Sequence, residues 1–533
     1  MTAGYGVVAG RRKEREPVAR FRVVTKHQIS GWRFLLRRIE HALVRRDASM
    51  IDDPQRGRST ALSIGIALAC VIVAGAAVLA FFKPAKKVGE SKIVAEKDTG
   101  ALYVRLNNRL FPALNLTSAR LIVGSPDNPV KVSKDELSKY PRGPWVGIPG
   151  APGSIIDTAE RDSSWTVCDT ARTGAAAPVN PATGLPTVSR SAVRTTAIGG
   201  PLTVDGDAIR LLGEGEARLL RDESTTWLVY GDAEKGVVRA AIDLASTAVA
   251  MALGIDSTAP VMAASKGLVN AIPEAPPLRV PEVPGAGESI TLNNGFTTPV
   301  GSVLTVSTPD QGVSYYLVSQ TGLVRISAVL AAMVRNANSQ GAVSTRTVGP
   351  DVIAANLRPG QWPGTASYPT RPIRLVDPVR SGVTCYHWSR SGNDPHAVTE
   401  LLVGRQLPLT QEEQGRTVDL VTSAASRGTT ADAAYLPRDT GRFVQVTGSE
   451  PGSPLRESLY WVSDSGVRYG VITDPGGTTG DPTLSALGLR TPVPAPWNII
   501  SLFAVGPALS QKEARIQHDG IPNNKIVAGL GGS

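Results

Sequence analysis

The sequence predicts an α+β protein hung on one membrane-spanning helix. A basic tail precedes that helix, and a large, mainly β region of small modules around a central core follows it. Three observations carry the prediction. Residues 61–82 read ALSIGIALACVIVAGAAVLAFF, 22 residues with no charge and no proline. In the 451 residues beyond them, short β-branched runs alternate with Gly, Pro, Asn and Asp turns. Four places in that region repeat one pattern: an aromatic-aliphatic strand, a turn and a second apolar strand.

The chain opens on MTAGYGVVAG, which reads as unstructured, and RRKEREPVAR, a solvated charge run. Thr25 and Gln28 then form a capping-box pattern, with Thr25 as N-cap. Ile29, Trp32, Leu36, Ile39 and Leu43 recur at spacings of three and four, which places them on one helical face. Arg33, Arg37, Arg38, Arg45 and Arg46 take up much of the rest. The expected element is a basic amphipathic helix over 26–47 within a tail spanning 1–60. A lone short helix cannot hold such a face in water, so it lies on anionic lipid or packs on a partner protein. Trp32, Phe34 and Leu35 widen the apolar face beyond a narrow surface stripe and favour the partner.

The apolar run 61–82 would form a helix of about 33 Å at ~1.5 Å per residue, the thickness of a bilayer core. It is too long and starts too far in for a signal peptide. A soluble core helix rarely stays apolar on every face for six turns. Lys83-Pro84 ends it. The expected element is one permanent transmembrane helix.

Charge separates the two sides. Residues 1–58 carry 14 Lys and Arg against 6 Asp and Glu, while the whole chain is only +10. The basic character therefore belongs to the tail, which removes the case for nucleic-acid binding by the large region. Close to the helix the cations nearly balance: Arg45, Arg46, Arg56 and Arg58 face Lys83, Lys86, Lys87, Lys92 and Lys97. The dense tail decides, because long domains translocate largely regardless of charge. Residues 1–60 are expected in the cytoplasm and 83–533 outside it.

Three cysteines remain: Cys70 inside the apolar run, where it reads as a small buried apolar residue, and Cys168 and Cys385 beyond it. The latter two sit in mirrored settings, Trp165-Thr-Val-Cys168 and Cys385-Tyr-His-Trp388. Outside the cytoplasm an even pair suggests a disulfide, with two separate buried thiols as the alternative.

The four patterned stretches are ALYVRLNNRLFPAL from Ala101, TWLVYGDAEKGVVRAAI from Thr226, YYLVSQTGLVRIS from Tyr315 and LYWVSDSGVRYGVI from Leu459. In the last three a glycine precedes the second strand and an arginine follows: Gly236 with Arg239, Gly322 with Arg325, Gly466 with Arg468. Hairpin turns that demand positive φ explain the glycines. Two stretches are followed by an A-L-G triplet, ending at Gly254 and Gly488. Modules are expected near 95–155, 205–272, 290–365 and 410–520, with core segments near 156–204 and 366–409. Their uneven spacing excludes a solenoid; chance likeness between hairpins is the competing account. PEAPPLRVPEVPGAG at 273–287 is expected as a semi-rigid strap, since its prolines cannot serve a central strand.

These residues resemble a family. TKHQISGWRFLLRRIEHALVRRD before the membrane, and LNLTSARLIVGSPDNP, PRGPWVGIPGAP, WTVCDT, ESLYWVSDSGVRYG and APWNIISLFAVGPALS after it, are similar to EccB, a membrane component of the type VII (ESX) secretion systems of mycobacteria and other actinobacteria. The resemblance runs over nearly the whole chain and is weakest in the first 20 residues and in NNKIVAGLGGS. It implies a single-pass inner-membrane protein with an elongated periplasmic region of four small repeat modules around a mainly β central core domain. It also implies a core disulfide, for which Cys168 and Cys385 are the candidates. The implied role is a scaffold in a hexameric channel complex with EccC, EccD and EccE, and with the mycosin protease as a further partner.

Enzymatic readings compete with this, because relatives are often described as ATPases. A P-loop needs Lys followed by Ser or Thr, and no such pair occurs in the chain. GEGEAR from Gly213 ends in arginine where a dinucleotide fingerprint needs glycine. A nonstandard nucleotide site stays open as the alternative. The chain has no G-x-S-x-G, H-E-x-x-H or C-x-x-C. His387, between Tyr386 and Trp388, reads as a packed core histidine and His396 as an exposed loop residue. No cofactor, metal ligand set or catalytic residue is expected. Cell-wall binding is a second alternative: Trp227, Tyr316 and Trp461 are the aromatics a sugar would stack on, with core packing as their competing role. The reading adopted is a structural scaffold whose cytoplasmic helix couples it to the motor.

Overall fold

The structure, a computed structural model, describes residues 26–46, 55–81, 88–158, 161–171, 193–223, 225–293, 295–309, 312–337, 345–360, 362–392, 394–421, 429–473 and 480–520. Phe82 and the expected N-cap Thr25 lie outside them. The chain forms two units, Met1–Ala85 and Lys86–Ser533.

The first unit contains the helices Lys26–Arg45 and Gln55–Phe81. Within the second helix, Thr60–Val78 has a mean hydropathy of 2.5 and none of it is buried. A soluble core helix of that composition would be surrounded by protein, whereas here Leu62, Ile64 and Val73 are each more than 60% exposed. The helix is long and apolar enough to cross a bilayer.

The second unit is mixed helix and strand around a seven-stranded sheet. Its strand order is Val418–Asp419, Ala433–Tyr435, Val193–Gly199, Ser163–Ala171, Val383–Arg390, Val398–Gly404, Ile209–Leu211. Strands 209–211, 418–419 and 433–435 lie outside the two expected core segments. They are two or three residues long, too short to carry a sequence period, and Ile209–Leu211 and Ala433–Tyr435 join the sheet through partners far away in the chain.

Among the described residues six further sheets accompany this one; two are two-stranded, Ser289–Thr291 with Thr297–Pro299 and Trp145–Val146 with Gln517–His518, and all four patterned stretches form hairpins in the other four, the outer sheets. These four outer sheets share one strand order. In the first, Ile93–Glu96, Leu102–Leu106 and Arg109–Pro112 form an antiparallel meander. Helix Leu116–Val123 follows, and Val130–Val132 returns parallel to the first strand. The second runs Glu216–Asp222, Thr225–Asp232, Gly236–Ile242, helix Thr247–Leu253, then Met262–Ala263 parallel to its first strand. The third is Val303–Thr308, Gly312–Ser319, Gly322–Ile326, helix Ala328–Ala337 and Arg346–Thr347. The fourth is Arg442–Thr447, Leu455–Val462, Val467–Val471, helix Pro482–Leu487 and Val493–Pro496. The A-L-G triplets end helices, with Gly254 and Gly488 as left-handed C-caps.

Each sheet buries both faces, which explains its continuous apolar runs. In the second sheet Leu219, Leu228 and Val238 face a core shared with Leu317, Val329 and Met333 of the third. Their neighbours Leu220, Trp227 and Val237 face the central sheet. The first and fourth sheets share a core likewise, through Val104 and Leu121 with Trp461 and Leu487. Val444 and Val462 turn the fourth sheet's other face to the centre. Glu274–Leu278, inside the proline-rich stretch, pairs as an edge strand on Gly236–Ile242, the position that missing backbone donors permit.

Candidate functional site

The central antiparallel pair sets the geometry of the core. Register places Cys168 opposite Cys385, and the structure joins them in a disulfide that closes 217 residues of chain. The same register places Trp165 opposite Trp388. Strand alternation sends the sulfurs to one face, among Ile198, Ile209 and Leu402, and the indoles to the other, among Tyr386, Leu401 and Phe503. The mirrored spacing in the sequence is thus a consequence of antiparallel pairing.

His387 stands opposite Thr166, whose hydroxyl lies 2.8 Å from its Nδ1. Burial lowers its pKa to about 4, so it is a neutral core residue. His396 is exposed in a loop.

Asp169, next to Cys168, went unremarked in the sequence. It is fully buried and accepts hydrogen bonds from the Thr195 hydroxyl at 2.8 Å, the Ser265 hydroxyl at 2.8 Å and the Ser265 amide at 2.5 Å. Ser265 caps helix Lys266–Ala271, so this carboxylate ties the central sheet to the segment following the second sheet. Desolvation, with Asp432 nearby, raises its pKa to about 6 against the pull of those bonds. Arg218 is also fully buried; it donates to the carbonyls of Val376 at 3.2 Å and of Ser381. Desolvation lowers its pKa to about 10. Nothing in a single sequence marks these groups, because their partners lie between 26 and 163 residues away.

The GEGEAR stretch turns into strand Glu216–Asp222. The Glu216 carboxylate accepts from its own Gly213 amide at 2.8 Å and pairs with Arg210 at 2.6 Å. A dinucleotide fingerprint would open a helix there, with amides free for phosphate. No group of three or more potential metal ligands occurs among the described residues. Trp227 and Trp461 are buried in cores, and Tyr316 packs against the cluster around Leu304, so their faces are packing surfaces.

Ile29, Trp32, Leu36, Ile39 and Leu43 lie on helix Lys26–Arg45 with Arg37 and Arg38, and all seven are exposed. Trp32 is 64% exposed and Leu43 77%. Cys70 is a free cysteine on the apolar helix and is exposed like the rest of its span.

Residues 21–523 match the family model described as "Type VII secretion system ESX-1, transport TM domain B". The chain is 40% identical over 510 residues to the ESX-3 secretion system ATPase EccB3 of Mycolicibacterium smegmatis, covering 94% of this chain and 92% of that one. It is 37% identical over 517 residues to the ESX-1 secretion system ATPase EccB1 of Mycobacterium tuberculosis H37Rv, covering 96% and 99%. Among solved structures, it is similar to a chain of an intact ESX-5 inner membrane complex, with TM-score 0.71, 34% identity and coverage of 95% and 98%. It is also similar to the EccB3 dimer from the ESX-3 core complex, with TM-score 0.67, 37% identity and coverage of 80% and 100%. Family match, relatives and architecture agree, and the chain belongs to the EccB family of type VII secretion systems.

Proposed function

We propose that this chain is a structural membrane subunit of a type VII (ESX) secretion complex. The observation that carries the proposal is the span of the likeness: the membrane helix and the large region match together, to relatives solved inside an inner-membrane complex. The dense cations of residues 1–58 support a cytoplasmic tail and a periplasmic large region. The shared strand order of the four outer sheets supports reading them as copies of one repeat unit around a core.

Helix Lys26–Arg45 supplies the cytoplasmic contact in this reading. Its apolar face, with Arg37 and Arg38 beside it, suits a partner subunit against the anionic inner membrane. EccC, EccD, EccE and the mycosin are the partners the family implies. The dimer among the similar structures supports self-association, with a hexamer as the expected assembly.

Affinity purification of the tagged full chain from its own membranes in mild detergent tests the proposal. Co-purification of the other secretion-complex subunits is expected, and recovery of this chain alone across several detergents overturns it. Protease added to spheroplasts should digest the C-terminal mass; protection until lysis would reverse the topology.

A further inference from the structure

A cleft of about 550 Å³ opens between the meander of the third outer sheet and the segment 362–371. Among the described residues its lining holds two arginines, Arg325 and Arg371, and no Asp, Glu, Asn or Gln. Both arginines are exposed, and neither has an ion pair or hydrogen bond among the described residues. Tyr315 and Trp362 are half-buried in the walls, with Ile326 and Leu330 adding apolar surface.

The wall is firmly held. The Tyr368 hydroxyl donates to the Pro277 and Arg279 carbonyls at 2.9 and 3.1 Å, and Tyr230 donates to the Ser367 carbonyl at 2.5 Å. A second cleft, also lined by Tyr368 and Arg371, carries Glu214, Asp232, Glu234 and Glu400. An anionic ligand is therefore attracted to the Arg325 side and repelled from the neighbouring cleft.

We propose that the Arg325–Arg371 cleft docks an acidic polypeptide segment. The guanidinium groups would take its carboxylates in paired hydrogen bonds, while Tyr315 and Trp362 seat an apolar side chain. A glycan fits less well. Sugar recognition leans on planar acid and amide side chains bonding adjacent hydroxyls, and the described residues of this lining include none.

The test uses the full chain in uncharged detergent and a fluorescein-labelled peptide of alternating glutamate and leucine, followed by fluorescence anisotropy. Saturable binding that weakens with added salt is expected. Arg325→Ala and Arg371→Ala should each weaken it by about tenfold or more. The lysine replacements should keep part of it, and Arg335→Ala, outside the cleft, should leave it unchanged. Absence of saturable binding, or equal binding by the double alanine variant, overturns the proposal. So does stronger competition by an oligogalacturonate than by unlabelled peptide, which would make the ligand a glycan.

Discussion

Trp165 and Trp388 face each other directly across the central antiparallel pair, each 1% exposed, three residues from the two cysteines that bridge the same strands. One register satisfies both pairs. The Trp165 and Phe503 rings pack edge to face with centroids 5.7 Å apart, and the Trp165 Nε1 donates to the Ser163 hydroxyl at 2.8 Å. Disulfide, indole pair and fourth sheet are therefore fastened at one place.

The bridge should be a large stabilising element. Closing 217 residues is worth roughly 5 kcal/mol in the chain-entropy model. Replacing Cys168 and Cys385 by serine should lower the melting midpoint strongly and raise protease sensitivity. In denaturant without reductant only Cys70 should alkylate; labelling of Cys168 and Cys385 under those conditions would refute the bridge.

Two buried groups should oppose one another in the pH dependence of stability. The Asp169 pKa, raised to about 6, contributes stability that is full below the ordinary carboxylate range and lost as pH rises through about 6. That shift corresponds to roughly 3 kcal/mol. His387, lowered to about 4, contributes stability that is full above the ordinary imidazole range and lost as pH falls toward 4. Between pH 6 and 4 the two changes largely cancel. Asp169→Asn should therefore unmask a fall in melting midpoint on acidification, and His387→Gln should unmask a rise. Parallel profiles for the two variants would contradict the assignment.

Gly322 cannot take a side chain without displacing backbone. Its φ is +137°, and a Cβ there would approach the Asn356 carbonyl oxygen to 2.6 Å. Gly322→Ala should cost about 2 kcal/mol or more, visible as a lower melting midpoint. Gly231→Ala, with nothing within 4 Å of its Cβ and no positive φ, should stay within about 0.5 kcal/mol of the parent.

The exposed face of helix Lys26–Arg45 should matter for assembly and leave insertion alone. Trp32→Ala combined with Leu36→Ala should reduce recovery of intact complex on native gels while the protein still fractionates with membranes. Undiminished complex would remove that helix as a docking element.

Much was legible in the sequence by itself, because the signals are local. An uncharged run of bilayer length announces a helix long and apolar enough to cross a membrane, apolar residues at helical spacing announce the helix before it, and glycines such as Gly236, Gly322 and Gly466 mark turns whose φ proves positive. All four hairpins could be found that way, since a turn and its two strands lie within one short window. Only the tertiary structure decided what joins across distance. It brings Val130–Val132 and its three counterparts back beside the first strands of their sheets, adds Ile209–Leu211 to the central sheet and sets Asp169 against Ser265. It also brings Arg371 to the cleft of Arg325. Two- and three-residue strands and buried polar pairs have no period and no local partner. Their positions follow from burying both faces of every sheet at once, which is a property of the packed whole.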